Sequence, residues 1–140
     1  MDKKYAIKKG IELMNNSKIA MVGTVGDDGF PYIKAMLSVT NDGIKNVWFS
    51  TNTSSKRVNQ IINNKNTSVY FVDDERYMGL MLLGEMEIQQ DEESRKKLWS
   101  DGSERYYPLG IDDPDYTVLK FTARRGNYYE GLKNISFDIE

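Results

Sequence analysis

Apolar and polar residues fall in short blocks along this chain, and the period of the pattern changes from block to block. In Asp2–Asn15, Tyr5, Ile7, Ile11, Leu13 and Met14 stand among Lys and Glu at the spacing of an amphipathic helix, which Asn15-Asn16 would end. Lys18–Val25 (KIAMVGTV) then turns β-rich and runs into Gly26-Asp-Asp-Gly29, a hairpin turn signal. Tyr32–Val39 reads as the second arm, closed by Asn41-Asp-Gly43, and Asn46–Ser50 as a third short strand. Thr51–Ser55 breaks the pattern, and Lys56–Asn63 is predicted helical, with Val58, Ile61 and Ile62 on one side. Thr67–Val72 and Tyr77–Ile88 are further strands. In Asp91–Trp99 acids precede bases, the order that complements a helix dipole, with Asp91 as N-cap. Asp101–Asp115 is a loop rich in Gly, Pro, Asp and Tyr, and Tyr116–Thr122 and Asn127–Tyr129 are predicted as the closing strands.

Tight turns between most strands argue against parallel βαβ winding. The pattern instead predicts a mainly β, α+β fold: a small antiparallel β-barrel with two or three peripheral helices. No internal repeat, low-complexity tract or linker divides the 140 residues, so residues 1–140 are expected to form a single domain.

Composition narrows the function. With 39% hydrophobic and 29% charged residues and only 3 Pro, a disordered or collagen-like chain is excluded. No apolar run approaches the roughly 20 residues of a membrane span, and MDKKYAIKKG lacks the apolar stretch of a signal peptide, so a cytoplasmic location away from membranes is expected. The sequence has no Cys and no His, which removes thiolate nucleophiles, thiolate zinc sites, Ser-His-Asp triads and imidazole bases. Chemistry must come from carboxylates, Lys/Arg, Tyr, Ser/Thr or a bound cofactor. A net charge of −2 argues against nucleic-acid binding driven by bulk charge.

One stretch concentrates chemical potential. In Phe49-Ser-Thr-Asn-Thr-Ser-Ser-Lys-Arg57 a strand ends, hydroxyl and amide side chains follow, and a helix opens with Lys56-Arg57 in its first turn. Free N–H groups and the helix dipole favour an anion there, whereas exposed cations oppose the dipole by about 0.3–1 kcal/mol. A phosphate would reverse that sign by gathering amides, hydroxyls and two cations; the alternative is an overloaded N-cap with solvated basic residues. Lys34, facing opposite to Ile33 and Ala35, either points at water or joins Lys56 as a phosphate ligand. Trp99, Tyr106, Tyr107 and Tyr116 could wall a planar ligand, fill a dimer interface or simply pack beneath the loop. The acids Asp73-Asp74-Glu75 and Asp112-Asp113 lack the spacing of a calcium loop, so no metal is expected.

The order of these pieces resembles the pyridoxamine 5′-phosphate oxidase-like, FMN-binding split barrels, in particular their short general-stress branch. The likeness spans Gly29-Phe-Pro-Tyr-Ile-Lys-Ala-Met-Leu37, Trp48-Phe-Ser-Thr-Asn-Thr-Ser-Ser-Lys-Arg57, Tyr106-Tyr-Pro-Leu-Gly-Ile-Asp-Asp-Pro-Asp-Tyr116 and Lys120-Phe-Thr122. It implies a split β-barrel of antiparallel Greek-key type and a homodimer with one FMN in each crevice between protomers. By position it implies Lys34 as a basic phosphate ligand, and Ala35, Met36 and Leu37 at the flavin edge, largely through backbone groups. Ser50 and Thr51 would touch the flavin from the next strand, and Ser55, Lys56 and Arg57 would grip the phosphate. Trp99, Tyr106 and Tyr107 are the candidates for substrate contacts.

The chain also departs from the resembled oxidase. That enzyme carries a C-terminal Arg-x-His substrate motif, whereas this sequence has no His and ends in Ser136-Phe-Asp-Ile-Glu140, so synthesis of pyridoxal phosphate is not expected. A flavin-contacting Gln of the oxidase falls near Gly79, and the lack of His and Cys disfavours haem. The expectation is therefore an FMN-binding oxidoreductase acting on a small molecule. A non-catalytic module holding flavin or another phosphorylated ligand is the alternative. A small nucleic-acid-binding barrel using Lys56, Arg57 and exposed aromatics is a third reading, opposed by the overall acidity.

Overall fold

The computed structural model describes residues 1–140, Val39 through its backbone alone. The elements are α1 (Lys3–Asn16), β1 (Ile19–Val25), β2 (Pro31–Asp42), β3 (Asn46–Asn52), α2 (Lys56–Asn63), β4 (Asn66–Asp73), β5 (Met78–Gln89), α3 (Glu92–Leu98), β6 (Tyr116–Glu130) and β7 (Lys133–Asp138), with two short 3₁₀ turns between α3 and β6. None of the helices is long and apolar enough to cross a membrane.

The sheet runs β3-β2-β1-β4-β5-β6-β7, and a further pairing of β3 with β6 closes its first six strands into a barrel. β4 lies beside β1 rather than beside β3, the spatial order of a Greek key. The connection that makes this jump carries α2. All pairings are antiparallel, so the expected mainly β split barrel with peripheral helices is the fold observed.

Alternation decides which side chains fill the barrel. Ala20 and Val22 of β1 sit opposite Met36 and Lys34 of β2, while Val47 and Phe49 of β3 oppose Phe121 and Leu119 of β6. Except for Lys34, these residues are buried in one core with Val69, Phe71, Leu80, Leu82 and Tyr128. α1 contributes Ala6, Leu13 and Met14 to the same core, and its first turn is held by Asp2, whose carboxylate accepts from the Tyr5 N–H at 2.8 Å. Burial together with a hydrogen bond to Glu130 pushes the Tyr128 phenol well above its ordinary pKa, so this residue is a neutral donor inside the protein.

Two features differ from the sequence reading. Tyr116–Glu130 is one continuous strand, not two, and β7 was not anticipated. The first follows from a β-bulge: Leu83 pairs with Arg125 but Gly84 pairs with Ala123, so Arg124 is an extra residue that breaks the two-residue period. β7 (KNISFD) buries only Phe137 and otherwise reads as polar coil.

The bulge depends on Gly84, where an added Cβ would fall against the Thr122 carbonyl oxygen and the Ala123 backbone. Gly84→Ala should therefore destabilise the protein by about 1–3 kcal/mol, the usual cost of overpacking. Thermal denaturation should register this as a Tm lower by several degrees, and an unchanged Tm would show that the bulge can relax around a methyl group.

Candidate functional site

A cleft of about 220 Å³ opens between β2 and the first turn of α2, and Lys34, Lys56 and Arg57 all line it. Cross-strand register explains Lys34: its partner is Val22, just as Tyr32 partners Thr24, so both β2 side chains lie on the face that continues the barrel interior toward α2. The turn leading to α2 is tied to the start of β6. Thr53 N–H donates to the Asp115 carbonyl at 2.7 Å, Ser54 N–H to the Asp115 carboxylate at 3.0 Å, and the Thr53 hydroxyl to the Pro114 carbonyl at 2.8 Å. Ser55 is the N-cap of α2, its hydroxyl oxygen accepting from the Val58 N–H. A buried hydrogen bond from the Thr24 hydroxyl to the Gln60 amide oxygen, 2.6 Å long, locks α2 onto β1.

The electrostatics of this cleft are unbalanced. Arg57 Nη2 donates to the Thr51 hydroxyl at 3.0 Å, yet its Nε is buried without a hydrogen-bond partner among the described residues. Burial accordingly lowers the pKa of the Arg57 guanidinium. The Lys56 ammonium lies 5.6 Å from the centroid of the Tyr32 ring, whose hydroxyl donates to Asp28 at 2.6 Å and holds that carboxyl below its usual range. Among the described residues, none of the three cations has a carboxylate within ion-pair distance. Three unpaired cations beside a helix N-terminus form an arrangement that an anion would stabilise.

The other expected cofactor contacts divide by facing. Met36 points into the core, so only its backbone is open to a ligand, while Ala35 and Leu37 face outward with Ile33. Thr51, paired with Thr117, faces inward and reaches the cleft through Arg57; Ser50, paired with Val118, lies on the opposite face of β3. Ser50 could therefore contribute to this cleft only through its backbone. Thr24, Tyr32 and Gln60 also line the cleft, and no sequence signal marked them. A second, larger groove of about 570 Å³ on the outer face shares Thr24 and Ile33 with it.

The aromatic loop sits elsewhere. Trp99, Tyr107 and Tyr116 pack together with ring centroids 5.0–6.4 Å apart on the outer face of β3 and β6, beside Trp48 and Leu98. Trp99 and Tyr107 are thus consumed in packing, and Tyr106 is exposed; none of the three lines either cleft of this chain. Burial raises the pKa of both the Tyr107 and Tyr116 phenols. The loop is pinned by Arg95, a buried guanidinium that donates to the carbonyls of Ile111 and Tyr116 at 2.8 Å each and to that of Asp113 at 2.5 Å. In the sequence Arg95 looks like any basic residue closing a helix.

Comparison with known proteins identifies the family and the fold. A family model described as pyridoxamine 5′-phosphate oxidase like matches residues 5–139. A crystal structure of a protein from Clostridium acetobutylicum related to general stress protein 26 of Bacillus subtilis (pyridoxinephosphate oxidase family) is 54% identical, covering 99% of this chain and 97% of that one with a TM-score of 0.87. General stress protein 26 from Bacillus anthracis is 21% identical, with 99% and 100% covered and a TM-score of 0.78. A heme binding protein from Mycobacterium smegmatis shares the fold at 15% identity and a TM-score of 0.76, over 99% of this chain and 59% of its own. No curated protein matches the chain.

Arg95→Met keeps much of the side-chain volume but leaves three buried or half-buried carbonyls without their donor. It should cost at least about 3 kcal/mol by that route and free the 100–115 loop. Limited proteolysis should then cut within the loop before the barrel unfolds; equal protease resistance in the variant would assign the loop's order to the aromatic packing instead.

Proposed function

The chain belongs to the pyridoxamine 5′-phosphate oxidase-like family, and on that premise we propose that it is a flavoprotein binding FMN and acting as an oxidoreductase on a small molecule. The observation that carries this reading is the buried, unpartnered Nε of Arg57 beside Lys34 and Lys56. A buried guanidinium N–H left without an acceptor costs stability, and the terminal phosphate of FMN is a dianion that supplies acceptors to it and charge to both lysines. The Ser55 hydroxyl and the open amides of the α2 first turn add donors at the same corner. The adjoining 570 Å³ groove falls within the roughly 300–1,000 Å³ of small-molecule sites.

FMN, when bound, supplies electron or hydride transfer, chemistry that requires neither a thiol nor an imidazole from the protein. The residues of this chain hold and orient. Lys34, Lys56 and Arg57 anchor the phosphate, and Thr51 keeps Arg57 from swinging away. The backbone of Ala35, Met36 and Leu37 presents hydrogen-bonding groups to the flavin edge.

The same reading includes a homodimer. Ile33, Leu37 and Ile19 are 70%, 58% and 51% exposed on the outer face of β1 and β2, and register places Ile19 directly beside Leu37. A contiguous apolar sheet face of this kind suits a second copy of the chain. The exposed Tyr106 would then be available to the site of a partner. A carrier or sensor that holds flavin without turnover is the competing reading. A protein that copurifies with flavin but is reduced by neither NADH nor NADPH would favour it.

Replacing Lys56 and Arg57 together with Ala removes two charge-assisted contacts of about 1.5–3 kcal/mol each. Calorimetric titration with FMN should therefore show a Kd raised by roughly 10² to 10⁴-fold, and undiminished affinity would remove the phosphate site. Ile33→Asp with Leu37→Asp should convert the dimer to monomer in sedimentation velocity. A wild-type protein that already sediments as a monomer would sink the dimer.

A further inference from the structure

β6 carries two consecutive arginines, and plain alternation would send one of them into the barrel. The bulge prevents this. Ala123, opposite Gly84, is in the core, and Gly126, opposite Leu82, lies under the Phe137 ring. The extra residue between them lets both Arg124 and Arg125 emerge on the outer face. Their surroundings differ. Arg124 grips Glu85, which Lys65 also holds at 3.0 Å, and these two partners keep that carboxyl below its usual range. Arg125 has neither an ion pair nor a side-chain hydrogen bond among the described residues.

Arg125 also occupies a distinctive place. With Leu83 it lines both the 570 Å³ groove and a neighbouring hollow of about 380 Å³, so the two adjoin at this residue. In register it belongs to a row that crosses the outer face through Ser68, Leu83, Arg125 and Asp138, with strands about 4.8 Å apart. Leu83 gives the row an apolar floor beside the guanidinium, and Ser68 a hydroxyl beyond it. Of the charged residues lining the groove, Arg124 and Arg125 set against Glu85 leave one net positive charge.

We propose that Arg125 binds the carboxylate of the small molecule handled in this groove, which makes that molecule a monoanionic carboxylic acid whose apolar body lies over Leu83. The inference rests on the flavin reading, because the groove adjoins the phosphate cleft through Thr24 and Ile33. A guanidinium projecting from a sheet offers a planar fork that matches a carboxylate with two parallel hydrogen bonds. A single net positive charge complements a monoanion better than a dianion. The bulge then has a purpose beyond turning the strand, since it re-aims a side chain that would otherwise be core.

The test uses the full-length protein loaded with FMN, with sodium benzoate as the carboxylate probe and benzamide as its uncharged counterpart. The readout is the nuclear magnetic resonance shift of arginine Nε–H groups. One arginine signal, absent from Arg125→Gln, should move saturably with benzoate and not with benzamide. Arg125→Gln should weaken benzoate binding by about tenfold or more, and Arg125→Lys should recover part of it. Equal benzoate affinity in wild type and Arg125→Gln, or benzamide binding as tightly as benzoate, would overturn the proposal. So would loss of the dimer in Arg125→Gln with no benzoate response in the wild type, which would make Arg125 an interface residue. FMN retention, followed separately by visible absorption, isolates the flavin reading: a benzoate response at Arg125 without bound FMN supports the carboxylate site and sinks the flavin alone.

Discussion

The pairing of β3 with β6, from Asn46–Thr122 to Asn52–Tyr116, turns an open sheet into a barrel, and the rest of the molecule hangs on that closure. Without it both strands would present a row of unpaired backbone groups, and Val47, Phe49, Leu119 and Phe121 would lose the enclosure that keeps them dry. Closure also sets the site. β3 ends at Asn52, and the turn after it is bonded to Pro114 and Asp115 immediately before β6 begins. The orientation of α2, and so the aim of Lys56 and Arg57, is fixed by the seam of the barrel.

That corner is built against its own stability. Cations at a helix N-terminus oppose the dipole, and a buried guanidinium nitrogen without an acceptor adds a desolvation cost. Neighbouring interactions offset these costs: the Thr24–Gln60 hydrogen bond, the Ser55 cap and the closed barrel beneath. Local rules broken in one place and supported around it are the pattern on which the proposed phosphate site rests. Arg95 is the contrast: each of its three guanidinium nitrogens donates to a backbone carbonyl, and Nη1 donates to the Gln90 amide oxygen as well.

Much of this was legible in the sequence, and for identifiable reasons. The D-D-G turn, the alternating strands and the Asp91 cap are local signals, and each element they mark is present. Lys34 and Lys56 could be suspected of sharing a cavity, because strand parity and helix position are periodic quantities. Parity fails wherever a residue is inserted. The bulge at Arg124 therefore hid the continuity of β6 and the outward turn of Arg125, while β7 was hidden by a polar sequence that buries only Phe137. Tertiary context was equally invisible: Trp99 and Tyr107 carry no mark that tells a ligand wall from a packed cluster, and nothing local says that Arg95 is buried.

The seam has one further consequence, for the order in which the molecule can assemble. Its paired residues lie about 70 positions apart, and β6 is also the strand on which both β5 and β7 are hydrogen-bonded. A polypeptide leaving the ribosome can form the β1–β2 hairpin early, but it must wait for most of its length to be synthesised before the cylinder can shut. Until then the half-finished wall exposes the Val47 and Phe49 side chains. Nascent chains stalled short of Tyr116 are where chaperone engagement would concentrate.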